Sequence, residues 1–124
     1  MRKATILVID DEDDFQYIIR QMLEPLGYEV HPAADGLAGL EMMRRRRPDL
    51  LLLDINLPFK NGYDVCRDLR EDPLLADIPV IMMTIRNRDE EIIRGLDCGA
   101  DDYLTKPFES AVLAAKIARL LQKA

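Results

Sequence analysis

The sequence has little cysteine and almost no histidine, which limits the chemistry that it can support. Its 124 residues include two cysteines, Cys66 and Cys98, and one histidine, His31. The cysteines lie far apart in the chain and have no partners at metal-binding spacing, so we expect two free thiols. His31 has no neighbour that suggests metal or acid–base chemistry, and we expect it to have a surface role.

A surplus of positive charge is also lacking. The chain carries 17 Lys and Arg against 23 Asp and Glu, a formal net charge of −6. Because nucleic acids and anionic membranes attract Lys and Arg, direct binding to either is not expected. One basic run, Arg44 to Arg47, stands before Pro48 at the end of a helical pattern. Cations favour that end of a helix, so we interpret the run as a solvated helix terminus.

Long apolar runs are missing as well. The first apolar stretch covers only Ile6 to Ile9 before acids follow, and the N-terminus has no signal-peptide cleavage region. A membrane span needs about 20 apolar residues, so we expect a cytoplasmic protein without a membrane partner. No repeat or Gly/Ser-rich linker divides the chain. We therefore predict a single domain over residues 1–124.

Short apolar runs predict five strands. Ala4 to Ile9, Leu50 to Leu53 and Val80 to Met83 have no polar alternation, which is typical of strands buried on both faces of a parallel sheet. Tyr28 to His31 alternates and then meets a proline, which indicates an edge strand. Asp102 to Thr105 is short and more polar, and we predict it at the other edge.

Stretches with apolar residues at helical spacing separate these runs. They predict five helices, whose apolar positions are, in chain order, Phe15, Ile18, Ile19, Met22, Leu23 and Leu26; Leu37, Leu40 and Met43; Val65, Cys66 and Leu69; Ile92, Ile93 and Leu96; and Leu113, Ile117, Leu120 and Leu121. Five repeats of strand then helix imply an α/β fold with a parallel sheet and helices on both faces.

Polar residues follow the buried runs at the point where each run ends. Asp10 and Asp11 follow the first run, Asp54 the Leu50 run, Thr84 the Val80 run, and Lys106 comes just after the last strand. Ligands of an open parallel sheet bind outside the carboxyl ends of its strands, so we expect these side chains to face one crevice. Three carboxylates would repel each other there, and Mg²⁺, which prefers oxygen ligands, would relieve that repulsion. An aspartate can also act as a nucleophile toward phosphorus, giving an acyl phosphate.

With these motifs the sequence resembles the receiver domains of bacterial two-component response regulators, a chemotaxis-regulator-like family, along essentially the whole chain. Each motif is weak alone, but together and in this order they are specific. They are Ile6 to Asp11, Pro48 to Pro58, Asn61-Gly62, Thr84 and Gly99 to Phe108. The resemblance implies the flavodoxin-like (βα)5 doubly wound fold with strand order 2-1-3-4-5.

The resemblance assigns the acceptor and the metal ligands. It implies that Asp54 is the phosphoryl acceptor and that Asp10 and Asp11 form the acidic pair, with Asp11 as a direct Mg²⁺ ligand. Asp54 and the backbone carbonyl of Asn56 would complete the protein's share of the metal site. Mn²⁺ could take the place of Mg²⁺.

The resemblance also assigns the residues that carry the signal. Thr84 and Lys106 would contact the phosphoryl group, and Tyr103 would turn inward as Thr84 moves. The Lys106–Pro107 peptide bond would be cis. The residue after Thr84 is usually small in the family, whereas this chain has Ile85, which could narrow access to the phosphate or crowd the path of Tyr103.

As a receiver, the chain would be a phosphoprotein of a phosphorelay rather than an enzyme, catalysing only its own phosphorylation and dephosphorylation. A sensor histidine kinase or phosphotransfer protein would be the donor. Phosphorylation would change the surface of the fourth helix, fifth strand and fifth helix, which a downstream effector or a C-terminal output domain would bind. Receivers can form homodimers through that surface, though nothing in the sequence requires one.

Three alternatives remain open. A phosphatase of the haloacid dehalogenase type wants a second Asp two residues after its nucleophile, where this chain has Asn56. A flavodoxin would need a Ser/Thr/Gly-rich phosphate loop after the first strand, where this chain has acids. A receiver that serves only as a docking module would be expected to have lost part of the motif set, which is complete here apart from Ile85.

Overall fold

The computed structural model describes residues 3–85 and 98–122. The described chain contains five strands and four α-helices, in the order β1 (Thr5–Ile9), α1 (Asp13–Leu23), β2 (Glu29–Ala33), α2 (Gly36–Arg45), β3 (Leu50–Asp54), α3 (Gly62–Glu71), β4 (Val80–Thr84), β5 (Asp102–Thr105) and α4 (Ser110–Gln122). Here α4 is the fifth helix predicted from the sequence. The predicted fourth helix, around Ile92, Ile93 and Leu96, lies outside the described residues.

The strands form one parallel sheet in the order β2-β1-β3-β4-β5, which confirms the predicted fold and strand order. The two polar strands, β2 and β5, lie at its edges as predicted. Pro32 lies within β2 and is tolerated there because an edge strand pairs on one side only.

Each central strand contributes to two apolar cores because alternate side chains point to opposite faces of a sheet. Leu51 and Leu53 pack with side chains of α2 and α3, whereas Leu50 and Leu52 pack with side chains of α1 and α4. All four leucines are fully buried. Burial on both faces explains why this run shows no polar alternation.

Local signals also set the helix ends. The first helix stops at Leu23, a short 3-10 turn follows over Glu24–Leu26, and Gly27 ends that turn with a φ of 96°. Pro25 cannot continue the α-helical hydrogen bonding, so the helix ends before Leu26, which the spacing of apolar residues had placed in it. Within the described residues no helix has the length and apolar character needed to cross a bilayer.

The basic run at the C-terminal end of α2 is paired with carboxylates. Its four side chains each contact an acid, and the pairs are Arg44–Asp72, Arg45–Glu41, Arg46–Glu29 and Arg47–Asp77. Arg47 also donates to the carbonyl oxygen of Leu74 at 2.7 Å. These arginines therefore hold the end of α2 to neighbouring segments, which fits the interpretation of the run as a helix terminus.

Candidate functional site

Polar side chains meet at the carboxyl ends of four strands. Asp54 and Thr84 are the last residues of β3 and β4, Asp10 directly follows β1, and Lys106 directly follows β5. Asp10, Asp54 and Thr84 are buried, with 1%, 5% and 1% of their surface exposed. Buried polar groups are costly unless they are paired, so their placement at one edge of the sheet marks a site rather than a chance cluster.

Lys106 bridges the two buried carboxylates. Its ammonium nitrogen lies 2.9 Å from Asp10 Oδ2 and 3.8 Å from Asp54 Oδ2. The same nitrogen lies 3.8 Å from the ring centroid of Phe15, which packs edge-on against Phe108. A cation over an aromatic face is held electrostatically, so three groups fix the end of this lysine. The Lys106–Pro107 peptide bond is cis.

Backbone amides bind the remaining oxygens of the same carboxylates. Asp10 Oδ1 accepts a hydrogen bond from the Glu12 N–H at 2.9 Å, and Asp54 Oδ1 accepts one from the Asn56 N–H at 3.3 Å. Each carboxylate is thus oriented by the loop that follows its own strand. These bonds hold Asp54 Oδ2 and Asp10 Oδ2 on the side where Lys106 lies.

Gly62 lets the start of α3 approach the end of β3. Its N–H donates to the Ile55 carbonyl at 2.9 Å, and a Cβ added to Gly62 would lie 2.4 Å from the Asp54 carbonyl oxygen. No side chain fits at that distance. The preceding Asn61 caps α3 by accepting the Asp64 N–H at 3.0 Å. The Asn61-Gly62 pair noted in the sequence thus closes the loop after Asp54.

Gln16 is a site-supporting residue that the sequence did not reveal. It is buried in α1, and its side-chain amide nitrogen lies 2.9–3.1 Å from the carbonyl oxygens of Val8, Asp10 and Ala33. It therefore ties α1 to the ends of β1 and β2 beside the acidic pair. A glutamine at a helix position is ordinary in a sequence, so no signal pointed to this role.

Burial raises the pKa of Asp54 from its ordinary 3.8 to about 6. Desolvation is the largest cause, and the negative charges of Asp10 and Asp11 add to it. Lys106 and the Asn56 N–H act in the opposite direction. The Asp54 carboxylate is therefore mostly ionised at neutral pH, but it is poorly solvated and close to like charges, which favours a cation or a covalent bond to an electrophile.

The oxygens that could hold a metal ion come from consecutive residues. Carboxylate oxygens of Asp10, Asp11 and Glu12 all lie within 4.8 Å of one another, Asp10 being buried and the other two exposed. The set implied by the resemblance had Asp54 and the Asn56 carbonyl beside the acidic pair, and it did not include Glu12. Glu12 was visible in the sequence as the next acid, but only the turn after β1 brings its carboxylate to the pair. All of these groups are hard oxygen donors of the kind that Mg²⁺ prefers.

Tyr103, which is expected to act in the switch with Thr84, and Ile85, which was expected to crowd its path, lie on different sides of the sheet. Tyr103 packs against the core shared with α2 and α3, and its hydroxyl lies 3.4 Å from that of Tyr63. Ile85 is 67% exposed and lines an apolar groove on the other side, together with Phe15, Ile18, Met22, Lys106, Pro107 and Phe108. Its position bears on access to Lys106 rather than on the packing of Tyr103.

Comparison with known proteins identifies the family. Residues 6–118 match the response regulator receiver domain. The chain is 42% identical over 95% of its length to the DNA-binding dual master transcriptional regulator RpaA of Synechocystis, of which it covers 49%. It thus spans about half the length of the curated relatives that it matches.

Solved structures show the same fold over the whole described chain. The receiver domain of a signal transduction histidine kinase from Syntrophus aciditrophicus has a TM-score of 0.91 and 36% identity, covering 98% of this chain and 92% of that one. A receiver domain of a Pseudomonas aeruginosa sensor histidine kinase, solved with magnesium coordinated in its active-site cleft, has a TM-score of 0.90 and 32% identity, covering 98% and 99%. This chain belongs to the response regulator receiver domain family.

Proposed function

We propose that this chain is a phosphorylation-dependent switch in which Asp54 accepts a phosphoryl group. The observation that carries the proposal is the bridge made by Lys106, whose ammonium lies 2.9 Å from Asp10 and 3.8 Å from Asp54. An ionised, partly desolvated carboxylate beside a fixed cation is suited to attack phosphorus, because the cation can stabilise charge on the transferred oxygens.

The residues around Asp54 fit a divalent cation. The Asp10, Asp11 and Glu12 carboxylates supply oxygen donors, and the raised pKa of Asp54 reflects its burial and the negative charges of Asp10 and Asp11. We propose that Asp10, Asp11, Asp54 and the Asn56 carbonyl, with Glu12 nearby, hold Mg²⁺ or Mn²⁺. When bound, that ion would supply positive charge that offsets the repulsion between these acids and the incoming phosphoryl group.

In the proposed transfer, an Asp54 oxygen forms a bond to phosphorus while the bond from phosphorus to the donor's imidazole nitrogen breaks. The imidazole leaves with the electron pair and takes up a proton. The product is an acyl phosphate, which carries a charge of about −1.5 to −2. Water attack on the same phosphorus would return Asp54 and inorganic phosphate, so the chain acts catalytically only on itself.

The added charge would rearrange the site. Lys106 would leave Asp10 for the phosphoryl oxygens, and Thr84 would donate its hydroxyl to them. Tyr103 would follow the movement of Thr84. The surface that changes would be formed by β5, by α4, and by the helix predicted from the sequence between β4 and β5. Moving such an equilibrium from 1:99 to 99:1 needs about 5.5 kcal/mol. A few charge-assisted hydrogen bonds of roughly 1.5–3 kcal/mol each can supply that amount.

The partners form part of the proposal. A sensor histidine kinase or phosphotransfer protein would donate the phosphoryl group in the cytoplasm, and the apolar groove beside Lys106 offers it a surface next to the acceptor. The match over residues 6–118 supports one receiver domain in residues 1–124. The coverage of half of RpaA supports an output domain outside this sequence as the reader of the switched surface.

The test is phosphorylation by a small donor such as acetyl phosphate with Mg²⁺, followed by intact-mass measurement. We expect one acid-labile phosphoryl group per wild-type chain and none on Asp54→Asn. Asp14→Asn, which removes an exposed acid of α1, is the matched control and should be phosphorylated like the wild type.

No mass gain on the folded wild-type chain, or an equal gain on Asp54→Asn, would reject Asp54 as the acceptor. Steady release of phosphate from external monoesters would identify a phosphatase instead. Binding of a kinase without any transfer would identify a docking module.

A further inference from the structure

The two cysteines, distant in sequence, are neighbours in the fold. Cys66 in α3 is fully buried and Cys98, just before β5, is 8% exposed. Cys66 Sγ donates a hydrogen bond to the Cys98 carbonyl oxygen at 3.3 Å, which places the Cys66 thiol against the backbone of Cys98. The expectation of two free thiols is confirmed, and the fold brings the two cysteines together.

The same face of α3 holds the Cys98 segment at a second point. Arg70, one helical turn after Cys66, donates from Nε to the Gly99 carbonyl at 2.8 Å and from Nη2 to Asp101 at 2.8 Å. Cys66 and Arg70 therefore bind the carbonyls of two consecutive residues, Cys98 and Gly99. The segment is held in a fixed position against α3 while both thiols are reduced.

Gly99 permits this close contact. Its φ is +95°, and a Cβ there would lie 3.0 Å from Arg70 Cγ and 3.1 Å from Arg70 Nε. A larger residue would push the segment away from α3 and separate the thiols. The site thus combines a buried Cys66 thiol held by α3 against the Cys98 backbone with a glycine, Gly99, whose backbone conformation lets the Cys98 segment approach that helix.

We propose that Cys66 and Cys98 form a dithiol/disulfide site, which closes into an intramolecular disulfide when the chain meets a low-molecular-weight disulfide. A disulfide requires two cysteines whose backbones lie close together. The Cys66 thiol already lies 3.3 Å from the backbone carbonyl of Cys98, and Arg70 holds the next residue, Gly99, to the same helix. The site is separate from the phosphoryl acceptor and independent of the proposed switch.

Cys98 is the attacking residue of the pair. The pKa of the Cys98 thiol is lowered to about 7, chiefly by the neighbouring Cys66 thiol and to a lesser degree by Arg67 and Arg70, against the opposing effect of burial. The neighbouring Cys98 and burial instead raise the pKa of Cys66. Cys98 is also the more exposed of the two. Because the thiolate is the nucleophile, a reagent would react at Cys98 first.

The thiol–disulfide exchange proceeds in two steps. The Cys98 thiolate bonds to one sulfur of the reagent, the reagent's S–S bond breaks, and the first small thiol leaves and takes up a proton. Cys66 then loses its proton and attacks the Cys98 sulfur of the mixed disulfide, releasing the second small thiol. The protein is oxidised by two electrons and the reagent is reduced to two thiols.

The test incubates the folded full chain with oxidised and reduced glutathione at several ratios, then quenches with an alkylating reagent under denaturing conditions. We expect both thiols to disappear together in the monomer, a linked Cys66–Cys98 peptide in the digest, and full recovery of both thiols with dithiothreitol. Cys66→Ser should stop at a mixed disulfide on Cys98, and Cys98→Ser should retain a free Cys66.

Three results would overturn the proposal. They are retention of both thiols at every glutathione ratio, a mixed disulfide on wild-type Cys98 that persists with Cys66 free, and disulfides found only between chains. Each is read on the wild-type protein, so the proposal can fail even where a serine variant does not fold. Phosphorylation of Asp54 is measured separately, and its failure would leave this result unaffected.

Discussion

The ammonium group of Lys106 lies closer to Asp10 than to Asp54, at 2.9 Å against 3.8 Å. Asp10 has no exposed side-chain surface and Lys106 only 12%. In the unphosphorylated chain this lysine therefore neutralises a buried member of the acidic pair. A cation and a phosphoryl group would together remove the reason for that contact, since the metal would neutralise Asp10 and the phosphate would attract Lys106.

Replacing Lys106 with Met should destabilise the metal-free protein by about 2–4 kcal/mol, because it leaves the buried Asp10 carboxylate without its partner. Urea unfolding at pH 7 in a chelator measures the loss. The control is Lys60→Met, which breaks a more exposed pair with Asp68 and should cost less than about 1 kcal/mol. An equal cost for both variants would mean that Asp10 does not depend on Lys106.

The pKa of Asp54 predicts a pH-dependent stability. The folded value of about 6 lies above the ordinary 3.8, so the folded chain binds this proton more tightly than the unfolded chain. The stabilisation is complete below about pH 4 and is lost as pH rises through about 6. The unfolding free energy of Asp54→Asn should therefore rise relative to that of the metal-free wild type as the pH increases from about 4 to about 6. We expect this relative gain to be about 1–2 kcal/mol.

Urea titrations of both proteins across this pH range, in chelator, measure that difference. The unfolding free energy of Asp14→Asn should change with pH in the same way as that of the wild type. A difference between Asp54→Asn and the wild type that does not change with pH would contradict a raised pKa for Asp54.

The position of Glu12 predicts a contribution to metal binding. Asp11→Asn should weaken Mg²⁺ binding by at least about tenfold, and Glu12→Gln by about 3–10-fold, because each removes one negative oxygen ligand or near neighbour. Calorimetric titration of Mg²⁺ at constant pH measures both. Unchanged affinity in Glu12→Gln would restrict the site to the acidic pair, Asp54 and the Asn56 carbonyl.

Arg70 should be a large contributor to stability. Besides its bonds to Gly99 and Asp101, its Nη1 donates to the carbonyls of Ala76 and Ile78 at 2.8 and 2.6 Å. A lysine cannot reproduce this planar set of donors, so Arg70→Lys should lose about 2–3 kcal/mol in urea unfolding. Arg67→Lys changes only an exposed pair with Asp64 and should stay within about 0.5 kcal/mol of the wild type.

Phe59 is strained and exposed in the loop after Asp54. Its φ is 67°, and 94% of its surface faces solvent. A left-handed backbone is unfavourable for a residue with a Cβ, so Phe59→Gly should raise the unfolding free energy by about 1 kcal/mol. Leu74→Gly, at an exposed leucine without positive φ, should instead lower it. A loss of stability in Phe59→Gly would show that its ring has a packing role.

The local pattern of apolar residues was sufficient to predict the five strands and the four helices that the structure describes. The four leucines before Asp54 predict a strand buried on both faces, and β3 begins at the first of them and ends at the acid. Sequence also predicted that Asp10, Asp54, Thr84 and Lys106 meet, because the parallel order of strands brings their carboxyl ends to one edge. These features follow from the periodicity of apolar residues and from the order of the elements along the chain, and both can be read directly from the sequence.

The pairings within the site required the folded chain. Lys106 is within reach of two carboxylates, and only the orientation of their loops sets it closer to Asp10. Cys66 and Cys98 are 32 residues apart, and their contact depends on how α3 packs against the entrance to β5. A sequence specifies which side chains face the same crevice or core, whereas packing and hydrogen bonding over long separations select the atoms that touch.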